Sequence, residues 1–228
     1  MLFTLSDADQ VAIGLSVRLA STVTLILLLL LIPLAWWLAQ TTWRGKALIV
    51  AVSGLPMLLP PTVLGFYLLE LLGPRGLIGT WSQRLGLDPL PFSFSGLVLA
   101  SVLYSLPFVL QPLLSAFEAV PVALLEAAAT LGAGPCSRFF KVALPLSRSG
   151  ILSAVLLVFT HTLGEFGVVL MLGGNIPGRT QVLSIQIYNH VENFEYPQAQ
   201  QLALGLLLFS FLALVCIQFL QYRTLRRG

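Results

Sequence analysis

Glu165 and His161 are two ionisable residues that lie inside an apolar segment of this chain. They are four positions apart in the stretch that follows Arg148, and Gly164 and Gly167 flank the glutamate. A carboxylate in an apolar medium is costly, so such a residue usually serves a function. We expect Glu165 to accept hydrogen bonds from freed backbone N–H groups or to be a buried structural carboxyl. We expect His161 to be a hydrogen-bonded core residue.

The sequence lacks the common catalytic motifs. Neither H-E-x-x-H nor G-x-S-x-G occurs, which argues against a metalloprotease or a serine hydrolase. Gly45-Lys46 is followed by Ala47 and lacks the earlier glycine of a phosphate loop, so this chain is not an ATPase. Cys136 and Cys216 do not form a disulfide or metal set. We therefore predict no catalytic residue, no metal site and no cofactor bound by this chain.

The composition identifies the elements that position these residues. Hydrophobic residues make up 57% of the 228 residues and charged residues only 9%, against about 25% charged in soluble domains. Five uncharged or nearly uncharged stretches are each long enough to cross a bilayer as a helix. Apolar runs of this length exclude a barrel. We predict an all-α, polytopic membrane bundle, a single domain over 1–228, with spans near 12–39, 47–72, 93–117, 149–172 and 198–221.

The basic residues orient these spans. Lys and Arg are retained on the cytoplasmic side of a membrane. One set of loops holds eight basic residues: Arg44, Lys46, Arg138, Lys141, Arg148, Arg223, Arg226 and Arg227. The opposite set holds three: Arg75, Arg84 and Arg179. We therefore predict the N-terminus outside and the C-terminus in the cytoplasm, and no nucleic-acid partner, because no basic and aromatic patch accompanies the charge.

The loop over 118–148 is the longest on the cytoplasmic side. Pro121 suits the first turn of a helix, and "VALLEAAATL" consists of good helix formers up to Gly132. A second short helix, "CSRFFKVAL", is expected to end at Leu144-Pro145.

The first of these two helices is expected to carry one apolar face. The residues that could share it are Leu124, Leu125, Ala128 and Leu131. Such a face suits docking of a soluble partner, or alternatively an interfacial position on lipid.

The spacing in this loop resembles that of a known family. Glu126-Ala127-Ala128, Gly132, Val142 and Leu144-Pro145 reproduce the EAA-x3-G-x9-I-x-LP loop of ABC-importer permeases, with Val in place of Ile. The resemblance implies a type I importer permease whose loop couples to a separate ATPase. The implied coupling residues are Leu125, Glu126, Ala127, Ala128, Gly132, Ala133, Leu144 and Pro145. For Glu126 we expect an ion pair with Arg138 or Lys141 in the same loop, or alternatively with the partner.

The second and fourth spans are the candidates for the transport pathway. Pro56, Pro60 and Pro61 remove backbone donors from the second span, so a kinked helix lining a pathway is expected, with simple packing as the alternative. The pathway or gate candidates are Pro60, Pro61, Gly164, Glu165, Gly167 and Asn175. In a dimer, Glu165 could also pair across the interface.

Four further segments resemble the molybdate branch of these permeases: "LPMLLPPTVLGFYLL", "GPRGLIG", "LGEFG" and "GGNIPGRTQVLSIQIYNHVE". Tungstate and sulfate permeases are the nearest alternatives, and an ion-coupled secondary transporter is a more distant one. Five spans are too few to enclose a pathway easily, so a homodimer around a two-fold axis is expected. The complex would then hold two cytoplasmic ATPases, which use ATP and magnesium, and one extracytoplasmic molybdate-binding protein, in a bacterial or archaeal inner membrane.

Overall fold

The computed structural model describes residues 5–86 and 88–225, with side chains described up to 219. Every regular element in these residues is helical. The helices are α1 Asp7–Gln40, α2 Lys46–Leu58, α3 Pro61–Leu72, α4 Leu77–Arg84, α5 Phe94–Glu118, α6 Val122–Thr130, α7 Pro135–Arg138, α8 Leu144–Leu146, α9 Arg148–Gly164, α10 Gly167–Gly173, α11 Leu183–Glu192 and α12 Tyr196–Leu225. A five-residue π-helical segment, Phe139–Ala143, joins α7 to α8. We refer to it as the π-turn. Arg226 and Arg227, which contribute to the predicted charge asymmetry, lie outside the described residues.

Three of the described helices, α1, α5 and α12, are long and apolar enough to cross a membrane alone. Two bent pairs reach the same hydropathy when each pair is taken together, which gives up to five candidate spans. One pair joins α2 to Pro61–Arg84 with a bend of 108°, and the other joins Pro135–Leu146 to α9 with a bend of 70°.

The second span is broken, and the expectation of a kinked continuous helix over 47–72 is wrong. α2 ends at Leu58 and α3 begins at Pro61. Two consecutive prolines remove two backbone donors and their rings exclude the preceding turn, so the chain leaves the helix at Leu59 and restarts with Pro61 in its first turn. Pro56 is accommodated inside α2.

A stripe of small and branched side chains buries α1 in the centre of the bundle. Its buried apolar positions recur at helical spacing: Ala12, Leu19, Ala20, Val23, Leu27, Leu31, Ala35 and Leu38. Helices α5 and α9 pack on this stripe. Lipid is as apolar as these side chains, so close packing holds such helices together rather than removal from water.

The bundle has two ends, which we name for what they carry. The loop end contains the C-terminal ends of α1 and α5 and the segments 41–45 and 119–147. There Lys46 Nζ lies 2.7 Å from Glu118 Oε1. The far end contains α4, α11 and the N-terminal ends of α1, α5 and α12. Near it the Arg18 guanidinium lies 4.6 Å from the centre of the Phe94 ring. The sequence patterns did not predict α4 and α11 as helices.

Candidate functional site

At the loop end, α6 forms the first arm of the long loop. It ends at Thr130, and Gly132 adopts a φ of +83°, which favours glycine. The N–H of Gly132 donates to Ala129 O and that of Ala133 to Ala128 O, both at 2.9 Å. This pair of bonds satisfies the last carbonyls of the helix. The predicted stop at Gly132 is confirmed.

The side chains of α6 face two ways. Leu125 is 4% exposed and belongs to the main hydrophobic core, whereas Leu124 and Leu131 are exposed, Leu131 to 88%. The expectation that these leucines share one face is therefore wrong, because Leu125 anchors the arm to the bundle. What the arm presents outward is an apolar surface that includes Val122, Leu124 and Leu131.

Glu126 and Ala127 are exposed on this arm, and Ala128 is half-buried. The expected ion pair of Glu126 with Arg138 or Lys141 is wrong, since the described residues contain no such pair. The Glu126 carboxylate is thus presented to the surroundings.

The second arm runs from Pro135 to Leu146 without stopping at Leu144-Pro145, which corrects the predicted end. The Leu144 N–H donates to Phe139 O, five residues earlier. The wider π-turn shifts the hydrogen-bond register just before Pro145, which has no N–H to donate. The chain turns only at Ser147, where α9 begins.

The second span, broken between α2 and α3, and the fourth span, broken between α9 and α10, meet at these two breaks. The fourth span is interrupted at Glu165 and Phe166, between α9 and α10. A Cβ placed on Gly167, at the start of α10, would lie 2.8 Å from Pro61 Cβ, at the start of α3. One turn along α3, a Cβ on Gly65 would lie 2.7 Å from Met171 Cβ. Glycine is thus required for the close approach of α3 and α10, whereas Gly164 has open space around it.

The Glu165 side chain is 4% exposed, so it points into the chain itself. Ser101 approaches its carboxyl group. Neither carboxyl oxygen makes a hydrogen bond of ordinary geometry with a described residue. Capping of backbone donors by Glu165 is therefore wrong among the described residues, and the pair across a dimer interface stays a prediction. The backbone oxygen of Glu165 accepts a hydrogen bond from Ser184 Oγ at 2.5 Å.

His161 is held by aromatic stacking. Its ring lies 3.9 Å from the ring of Phe108 and 5.1 Å from that of Tyr104. Its Nε2 has no hydrogen-bond partner among the described residues, so the expected hydrogen-bonded role is wrong at that atom.

Asn175 is separate from the crossing of the two broken spans. It follows α10 and exchanges side-chain amide hydrogen bonds with Asn189 of α11, at 2.7 and 3.1 Å. Its role is to tie the far-end loop to α11. The structure thus places Pro60, Pro61, Gly167 and Glu165 near one crossing and Asn175 beyond it.

A polar cluster at the far end was missed by the sequence analysis. His190 Nε2 lies 2.8 Å from Asp9 Oδ1, and His190 Nδ1 lies 2.6 Å from Glu195 Oε2. Gln186 Nε2 also donates to Asp9 Oδ1 at 2.8 Å. We call these four residues the far-end network. The helical spacing of Gln186 and His190 was the available signal, but nothing in the sequence linked them to Asp9.

The geometry of the far-end network favours a charged imidazolium, because both ring nitrogens face carboxylates that only accept hydrogen bonds. Burial acts to lower the pKa of His190, but the hydrogen bonds to Asp9 and Glu195 and their negative charges outweigh it and hold this pKa above its usual value. Among the described residues, no three or more His, Cys, Asp or Glu side chains are grouped so that they could hold a metal ion.

Comparisons with known proteins agree with these features. Residues 14–227 match the family described as binding-protein-dependent transport system inner membrane component. The molybdenum transport system permease protein ModB of Azotobacter vinelandii is 57% identical, over 93% of this chain and 94% of its own length. The sulfate transport system permease protein CysT of Escherichia coli is 35% identical over 85% of this chain and 70% of its own length.

A solved structure shows the same fold. The bacterial alginate ABC transporter, in complex with an alginate pentasaccharide-bound periplasmic protein, contains a chain that superposes with a TM-score of 0.74 at 20% identity, covering 97% of this chain and 80% of that one. The family match spans nearly all of the sequence and the fold is that of a type I permease. The chain therefore belongs to the family of inner membrane components of binding-protein-dependent transport systems.

Proposed function

We propose that the chain is the membrane-spanning permease subunit of an ATP-driven molybdate importer and that it acts as a homodimer. The observation that carries the proposal is the EAA-type loop, which stands at one end of the bundle with an apolar arm and a carboxylate exposed to a partner. The solute follows from the ModB relative, whose identity to this chain is higher than that of the sulfate permease CysT.

The loop end is the proposed docking surface for a cytoplasmic ABC ATPase. Leu124 and Leu131 supply apolar contact area, and Glu126 supplies a charge without a partner in its own loop. Leu125, Ala127, Ala128, Gly132 and Ala133 shape the first arm, and Leu144-Pro145 lie in the last turn of the second. ATP and magnesium are used by the ATPase. An Asp at position 126 would keep the charge, so Glu126→Ala should uncouple hydrolysis from transport more than Glu126→Asp does.

The far end is then the face toward the extracytoplasmic binding protein, with the N-terminus outside and the C-terminus in the cytoplasm. Cys136 is exposed in the loop and offers a direct test. In intact cells a membrane-impermeant maleimide should leave Cys136 unmodified, and in inside-out vesicles it should label it. A Cys216→Ser background removes the second thiol. Labelling of Cys136 in intact cells would show that the chain has the opposite orientation in the membrane.

The solute is tested with the reconstituted complex of permease, ATPase and binding protein. ATP hydrolysis should rise when molybdate is added and rise less with tungstate or sulfate. Stimulation by sulfate alone would identify a sulfate permease. Accumulation of solute driven by an ion gradient, without ATP, would identify a secondary transporter.

The crossing of α3 and α10 is the proposed gate region, formed by Pro60, Pro61, Gly164, Glu165 and Gly167. Opposite sides of this crossing belong to two broken spans, which suits an element that must change its packing during transport. Gly167→Ala should impair transport strongly, because its methyl group would overlap the Pro61 ring. Gly205→Ala in α12, which has open space around it and lies outside the crossing, is the matched control. Equal transport by the two variants would show that the crossing of α3 and α10 is not part of the gate.

A further inference from the structure

Three aromatic rings meet where the long loop joins the bundle. Phe139, the first residue of the π-turn, lies 5.6 Å from Trp36 near the end of α1 and 6.1 Å from Phe117 near the end of α5, measured between ring centroids. Trp36 and Phe117 are themselves 5.6 Å apart in an edge-to-face arrangement. We call these three residues the aromatic junction.

The aromatic junction is built into the core. Phe117 is 1% exposed, while Trp36 and Phe139 are half-buried and pack against the main hydrophobic cluster. The edge-to-face pair of Trp36 and Phe117 has a preferred geometry, and Phe139 packs on both rings in tilted contacts, so displacement of one ring disturbs all three contacts. A shift of the π-turn must therefore move α1 and α5 or break these contacts.

Two further contacts fix the start of α9, which directly follows the second arm, to α5 at the same level. Ser147 Oγ donates to Ala116 O at 3.1 Å. A Cβ on Gly150 would lie 2.3 Å from Ala116 Cβ, so α9 crosses α5 in close contact there. The first arm, in contrast, reaches the core through Leu125. The second arm is consequently the firmer connection between loop and bundle.

The π-turn is the point in this arm where the hydrogen-bond register of the helix can change. Its i to i−5 hydrogen bond is a less common register, and such segments occur often at functional positions in helices. Packed bundles respond to a push by moving between discrete arrangements rather than by bending smoothly. The aromatic junction lies directly on the route from the loop to α1 and α5.

We propose that Trp36, Phe117 and Phe139 are positioning residues that transmit movement of the docked loop to α1 and α5. The proposal rests on the proposed function, because it assumes an ATPase at the loop end. It predicts that the junction sets how many solute molecules are moved per ATP and does not set whether the ATPase binds.

The test compares neighbouring tryptophans. Trp36 belongs to the junction, whereas Trp37 is 48% exposed and packs on Trp43 outside it. In proteoliposomes containing the complete complex, Trp36→Leu should lower the ratio of molybdate imported to ATP hydrolysed by roughly threefold or more, the scale expected when a coupling contact is lost. Trp37→Leu should leave this ratio at the wild-type value, and Trp36→Phe should restore most of it.

Several results would overturn the proposal. One is a wild-type ratio in Trp36→Leu. Another is loss of ATPase binding in both Trp36→Leu and Trp36→Phe, which would show a purely structural role. Where Trp36→Leu does not assemble, Phe139→Leu is the second variant, and a normal ratio there also refutes the junction. Failure of the wild-type complex to couple ATP to oxyanion import would refute the proposed function itself, so the two failures are distinguished by the wild-type measurement.

Discussion

The two ends of the bundle are held by different chemistry. At the far end, directional polar contacts join distant parts of the chain: Asp9 and Gln186 with His190, and Ser16 Oγ with the Leu183 N–H at 2.6 Å. At the loop end, aromatic and apolar packing dominates, and most of α6 remains exposed.

This difference determines how the contacts at each end respond when the helices are displaced. A hydrogen-bonded network has one good geometry, and losing a partner leaves a buried polar group unsatisfied. An aliphatic contact tolerates small shifts with little loss. The far end is thus suited to hold α1 and α11 in fixed register, whereas the loop end is suited to receive a partner and to move with it.

The far-end network should give the largest effect on stability. Asp9→Ala removes a buried carboxylate that faces the His190 ring, and loss of one partner of such a pair costs about 3 kcal/mol. Asp7→Ala, at an exposed position of the same helix turn, is the control. The measurement is thermal unfolding of the purified chain in detergent. Equal melting temperatures for the two variants would contradict the contrast between the ends.

A single core leucine should give the largest effect at the loop end. Leu125→Ala deletes a buried side chain of α6 and should lower stability by about 2 kcal/mol. Leu124→Ala should leave the free energy of unfolding unchanged but weaken ATPase binding, because Leu124 is exposed. Unfolding of both variants, followed by co-purification with the ATPase, separates the two roles. A loss of stability in Leu124→Ala, with weaker ATPase binding and unchanged stability in Leu125→Ala, would show that α6 is oriented differently.

Proton binding to His190 should affect the stability of the far end. The pKa of His190 is raised by its carboxylate partners, so its stabilising contribution is fully present below about pH 6.5, the usual value. That contribution is lost as the pH rises through the raised pKa. The melting temperature of the wild type should fall over this window by more than that of His190→Gln. A parallel fall in the two proteins would exclude His190 as the titrating group.

The Lys46–Glu118 pair should give the smallest effect. Its side chains are 26% and 45% exposed, and exposed pairs contribute about 0.5 kcal/mol. Lys46→Met should shift the melting temperature slightly at low salt and not at all at high salt, where screening removes the interaction. A large shift would mean that the loop end also depends on a polar tether.

The sequence was informative where a local signal suffices. The stop of α6 at Gly132 follows from the freedom of one glycine, and the membrane class follows from the scarcity of charge. The spacing around Glu126 identified the family before any contact was known. Each of these features depends on residues close together in the chain.

Features that depend on tertiary contacts were missed. Leu125 and Leu124 are neighbours of the same type, and only packing against the bundle buries one and exposes the other. Glu126 lacks the predicted ion pair because its loop directs the carboxylate outward. For Glu165, capping of backbone donors and a buried structural carboxyl were both open, and only the packing shows that the side chain turns inward without the capping bonds. The network around His190 joins residues separated by most of the sequence.

The meeting of Pro61 and Gly167 has an evolutionary consequence. Either residue alone would be read as a local helix breaker, free to vary with its own span. Because the pyrrolidine ring occupies the space that a side chain at position 167 would need, the two positions share a single volume. Substitutions there should be accepted together or not at all, and related chains should show correlated change between a proline in one span and a glycine in another.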